Sequence, residues 1–216
     1  MRDSAKRLLA LCLFLALCVF QPVHLMAQPA AFDEHSDLAS VVEFANKGDA
    51  GAQFELGNRY YMGKGFKQSF EQAAQWYTKA AEQGHSDAAV WLGRMHEFGW
   101  GVEKRADLAF AWTLKAAEQG NETAATAVAA KYITGDGVAK DPQQSFNWTK
   151  KLAEKGVPGA QKLMGIIYDG GRIVPRDYQQ ALYWYRAAAN QTQDPDEAQS
   201  AQQYLDSLLS RMEENK

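Results

Sequence analysis

Cysteine is confined to the extreme N-terminal region: Cys12 and Cys18 are the only two in the 216-residue chain. Once that region is removed, disulfides, thiol catalysis, redox sensing and cysteine-based zinc sites are all excluded, and packing alone must hold the fold. Histidine is nearly as scarce. His35, His85 and His96 remain beyond the first 27 residues, and no two share a helical metal-ligand spacing. A Gly-x-Ser-x-Gly nucleophile elbow is missing as well. No cofactor, metal or catalytic residue is therefore expected.

Long hydrophobic runs are also lacking. The longest, Leu8 to Phe20, has 13 residues, short of the roughly 20 needed to cross a bilayer. Arg2, Lys6 and Arg7 precede it, and the small-residue site Leu25-Met26-Ala27 follows. That order predicts a secretory signal peptide over residues 1–27, cleaved after Ala27, with Ala30 as the second choice. Residues 28–36 are expected to form a flexible mature N-terminus. The protein should then be periplasmic or secreted. Residues 1–27 carry three basic residues and one acid, so 20 basic and 25 acidic residues remain, a formal charge of −5. No basic run offers itself to phosphates, and neither nucleic acid nor an anionic membrane is an expected partner.

What is abundant is repetition. Trp76, Trp112, Trp148 and Trp184 stand 36 residues apart, as do Ala52, Ala88, Ala124 and Ala160. The same period aligns Tyr60, His96, Tyr132 and Tyr168 with one another, and likewise Gly63, Gly99, Gly135 and Gly171. A fixed period of this length marks an array of stacked units. In the first copy, Ala52, Leu56 and Tyr60 form one apolar stripe over 50–62, ended by Gly63-Lys64-Gly65. A second helix over 70–83 places Ala73, Trp76, Ala80 and Ala81 on its neighbours and ends at Gly84. Ser69, Asp141 and Asp177 occupy its N-cap column, each followed three residues later by glutamine, whereas the second copy has Arg105.

The expected organisation is a half unit at 37–48, four repeats at 49–84, 85–120, 121–156 and 157–192, and a terminal helix at 193–216. In the half unit, Ala45 and Gly48 keep the register of Ala81 and Gly84. In the terminal helix, Ala198, Ala201, Leu205, Leu208 and Met212 share one stripe. Both ends read as caps, since each unit buries its apolar face only on its neighbours.

Ala50-Gly51-Ala52-Gln53-Phe54-Glu55-Leu56-Gly57, the Gly63-Lys64-Gly65-Phe66 turn and the closing Lys79-Ala80-Ala81-Glu82-Gln83-Gly84 resemble the Sel-one-like branch of the tetratricopeptide superfamily. Ala129, Leu152 and Ile173 depart from its pattern. The resemblance implies an all-α, right-handed superhelical α/α solenoid of the exported bacterial type that recruits other proteins through its concave face. The resulting reading is an envelope adaptor or regulator. The alternatives are a periplasmic immunity or inhibitor protein neutralising one toxin or enzyme, and a cell-wall-active enzyme.

Comparing copies separates shared core from surplus. Trp91 stands where the other copies have Glu55, Ala127 and Leu163, and Trp100 where they have Lys64, Asp136 and Arg172. Tryptophan and arginine dominate binding hot spots. Trp91, Trp100, Arg59, Arg94 and His96 are therefore the candidate protein-binding residues. The alternative for the two tryptophans is ordinary packing on a helix and over a loop.

Overall fold

A computed structural model of the chain describes residues 37–214. The expected signal peptide 1–27 and the segment 28–36 lie outside the described residues. Ten helices and no strand occur among the described residues. They are α1 (Leu38–Asn46), α2 (Ala50–Met62), α3 (Phe70–Glu82), α4 (Ser86–Phe98), α5 (Ala106–Glu118), α6 (Glu122–Thr134), α7 (Pro142–Glu154), α8 (Pro158–Gly170), α9 (Tyr178–Ala189) and α10 (Pro195–Glu214). Each packs on the helix before and after it, and α10 also reaches α8. The result is an all-α repeat solenoid whose first helices are α2, α4, α6 and α8 and whose second helices are α3, α5, α7 and α9.

Alanine sets the spacing. Ala73, Ala80, Ala81, Ala88, Ala89 and Ala116 have no exposed surface, so the helices approach closely, and Tyr77, Leu92, Met95, Val128 and Met164 fill what remains. The main core runs through all four copies. Separate clusters close the ends: Val41, Ala45, Ala52 and Leu56 at α1, and Ala181, Leu182, Tyr185, Leu205 and Leu208 at α10. Burying Leu205 and Leu208 stabilises the docking of α10 by about 1.5–3 kcal/mol each.

The repeated tryptophans differ from the sequence reading in depth. Only Trp184 is buried; Trp76, Trp112 and Trp148 are half-buried. Lys79, Lys115 and Lys151 lay their ammonium groups over those three rings at 3.8, 5.0 and 4.4 Å. The long aliphatic stems cover the indoles while the charges stay in water.

Helix starts follow the cap columns. Ser69, Asp141 and Asp177 accept from the backbone N–H of Gln72, Gln144 and Gln180. Arg105 makes no cap bond and instead grips Asp107 at 2.9 and 2.6 Å, which holds that carboxyl at about 2. The first helices are capped by Asp49, His85 and Asn121.

The turn between the helices of a copy packs tightly. At Gly101 (φ +66°) a β-carbon would fall 2.2–2.5 Å from backbone atoms of Phe70 and Glu71, so the second copy's turn lies directly on the start of α3. The fourth copy has Ile173 in this column, and no non-glycine residue adopts positive φ among the described residues. Its turn therefore takes another shape.

Candidate protein-binding surface

The surplus tryptophans meet at Tyr61. Trp91, on α4, is half-buried, its ring 4.8 Å from Tyr61 and stacked on Tyr77 at 6.1 Å. Trp100, in the following turn, lies 6.0 Å from Tyr61 and stacks on Phe70 at 6.2 Å and on Phe98 at 4.8 Å. One aromatic run thus crosses from the first copy to the second. Trp91 packs on the neighbouring copy and Trp100 on Tyr61 and Phe70 of that copy and on Phe98, while both keep part of their surface in solvent.

Phe98 and Met62 escape a reading based on tryptophan alone. They occupy one column at the C-terminal ends of α4 and α2, 56% and 54% exposed. The third and fourth copies carry Thr134 and Gly170 there. The signal was present in the column comparison, but only the backbone shows that this position projects outward as its helix ends. Large apolar groups left exposed in a cluster, rather than singly, mark contact surfaces.

Arg94 is exposed and sits over the Trp91 ring at 5.3 Å, so it joins the patch. Arg59 and His96 are held elsewhere. Arg59 is paired with Glu55 at 2.9 Å, both side chains largely covered, and it contributes to lowering the pKa of Asp37, which is set first by the hydrogen bond from Ser40. His96 turns Nδ1 to the carbonyl of Glu103 at 3.0 Å, a contact within its own turn. Three of the five sequence candidates, Trp91, Trp100 and Arg94, therefore converge.

Among the described residues no group of three or more His, Cys, Asp or Glu side chains could hold a metal ion, and no helix is long and apolar enough to cross a membrane. The surface offers aromatic area and a guanidinium.

The Sel1 repeat model matches the chain four times, over residues 50–85, 86–121, 123–157 and 158–193. The chain belongs to the Sel1 repeat family. A protective antigen of uropathogenic Escherichia coli that displays this fold shares 37% identity over 73% of the chain, with a TM-score of 0.64. The present chain spans 34% of the length of that antigen. A Sel1 repeat protein from Oxalobacter formigenes shares 31% identity, covers 74% of each chain and gives a TM-score of 0.61. No relative matches among curated proteins. Sel1 repeats are protein-interaction scaffolds as a class and generally not enzymes. Within this Sel1 array, the Trp91–Trp100 patch belongs to the second copy and its contact with the first.

Proposed function

We propose that this Sel1 repeat protein is exported and works in the periplasm or outside the cell as an adaptor or regulator of an envelope complex. Its partner is a protein, seated on the face of the first helices across copies one and two. Phe98 and Trp100 are the rigid apolar anchors, Trp91 lies beside them, and Arg94 supplies a charged contact.

The observation that carries the reading is the Phe98–Trp100 stack. Two aromatic rings lie 4.8 Å apart, Phe98 exposed and Trp100 partly so; the other copies put Lys64, Asp136 and Arg172 in the Trp100 column, and the third and fourth put Thr134 and Gly170 in the Phe98 column. The shared repeat core does not require them. The N-terminal signal pattern supports export, and the absence of a basic surface run favours protein over nucleic acid.

Affinity capture from an envelope extract tests this, with the wild type beside Phe98→Ser and Trp100→Ala. The proposal expects both variants to remain folded by circular dichroism and to lose the proteins that the wild type retains. Retention of the same proteins at the same level by both variants removes the patch as the interface.

A further inference from the structure

The second helices carry Tyr77, Thr113, Thr149 and Tyr185 in one column, and the first helices carry Gly57, Gly93, Ala129 and Gly165 in another. In the first copy the Tyr77 ring lies flat on Gly57: a β-carbon there would be 2.6 Å from the ring. In the fourth, Tyr185 lies on Gly165 in the same way, at 2.4 Å. The Tyr77 ring fills the gap between successive first helices, 5.6 Å from Phe54 and 6.1 Å from Trp91. Its hydroxyl donates to Asn58 Oδ1 at 2.8 Å.

The third copy keeps the backbone arrangement and removes the rings. Thr149 replaces the tyrosine, and Ala129 the glycine. Thr126, Ala130 and Leu163 stand where the first site has Phe54, Asn58 and Trp91. An open apolar cavity of about 280 Å³ results, with Ile133 and Leu163 on its lining 46% and 42% exposed. No charged side chain lines it. The hydroxyls of Thr149 and Thr126 donate to carbonyls one turn back, on Ser145 and Glu122, so their protons are already committed.

We propose that this cavity between α6, α7 and α8 receives a phenylalanine side chain from a protein partner. The size fits, since a cavity of roughly 150 Å³ already accepts benzene. The shape fits, because the same chain seats an aromatic ring at the equivalent place in two other copies. Polarity favours phenylalanine over tyrosine: Ala130 removes the amide acceptor that Asn58 supplies to Tyr77, leaving a phenol only hydroxyl oxygens that themselves donate to backbone carbonyls. The inference rests on the protein-binding reading of the chain and adds a third-copy anchor to the second-copy patch.

The test uses the purified protein with toluene and p-cresol as probes, followed by methyl resonances of Ala129, Ala130, Ile133 and Leu163. Toluene should shift these methyls and bind more tightly than p-cresol. The Ala129→Gly/Thr149→Tyr double variant rebuilds the first copy's arrangement and should abolish the shifts. Leu163→Trp, which puts the Trp91 counterpart in place, should weaken them independently should the double variant fold poorly. Unshifted methyls, shifts that persist in both variants, or tighter binding of p-cresol would each overturn the assignment. In the capture assay the double variant should also lose a wild-type partner. If it loses toluene yet keeps every partner, the phenylalanine anchor is wrong while the second-copy interface stands; if only Phe98→Ser and Trp100→Ala are silent, the reverse holds.

Discussion

Gly57 and Tyr77 are complementary across the two helices of the first copy, the tyrosine ring occupying the space 2.6 Å from where a glycine side chain would begin. A methyl group at position 57 must push the ring out of the gap before Trp91. Gly57→Ala should therefore destabilise the protein by about 1–3 kcal/mol, measured by urea unfolding. In a Tyr77→Thr background the same change recreates the Ala129–Thr149 pair and should cost far less. Equal costs in the two backgrounds would show that the glycine serves something other than the ring.

His85 caps α4 through Nδ1, which accepts from the Ala88 N–H at 3.3 Å, and stacks on Phe54 at 4.4 Å. Only the neutral ring can accept. Burial, the largest influence, lowers its pKa below 6.5, against the opposing pull of Asp87 and Asp49. The unfolded chain thus takes up the proton first. This contribution to stability is complete above pH 6.5 and is lost as pH falls from there through the lower folded value. Melting temperatures between about pH 8 and pH 5 should show that loss in the wild type. His85→Asn, matching the Asn121 cap, should remove this part of the pH dependence; an unchanged profile would assign it to other groups.

Lys131 is buried, its Nζ 2.5 Å from Asp136 and 4.0 Å from Glu97, two carboxylates that stay partly exposed. The second copy manages the same position with Met95. Lys131→Met should leave stability within about 1 kcal/mol of the wild type or raise it, because removing a desolvated charge offsets the lost pair. Asp136→Ala, which strips the charge of its near partner, should cost more, about 1–2 kcal/mol. Chemical denaturation of both variants decides the order.

The tryptophan column should be graded by depth. Trp184→Ala, at a buried ring, should cost about 3–5 kcal/mol. Trp112→Ala, at a half-buried ring under Lys115, should cost roughly half as much. Equal losses would indicate that the lysine lid excludes water as completely as the core does.

Much of the fold is legible because a period is legible: Trp76 to Trp184 recur on the second helices, the cap residues Ser69, Asp141 and Asp177 cap them, and the stripe of α10 is buried at Ala201, Leu205 and Leu208. What eluded the sequence depends on contacts between copies. Trp91 looked surplus by column, but its neighbours Tyr61 and Tyr77 lie in the previous repeat, and no spacing rule connects them. Arg59 lies four positions from the column of Trp91, and its side chain pairs with Glu55 and acts on Asp37. Phe98 shares its column with Met62, Thr134 and Gly170, and only the end of α4 shows that it is exposed. The Tyr77–Gly57 and Tyr185–Gly165 pairing was present in the letters, partly masked because Gly93 pairs with Thr113.

The central claim is that the first-helix face around Trp91 and Trp100 holds a protein partner. A photo-crosslinking residue in place of Arg94, in cells producing the full protein, reports on it directly; the control is the same residue at Ala111, exposed on the second helix of the same copy. The account predicts a discrete protein adduct from position 94 that disappears in the Trp100→Ala background, and none from position 111. Adducts of equal yield from both positions, or none from position 94, would contradict it.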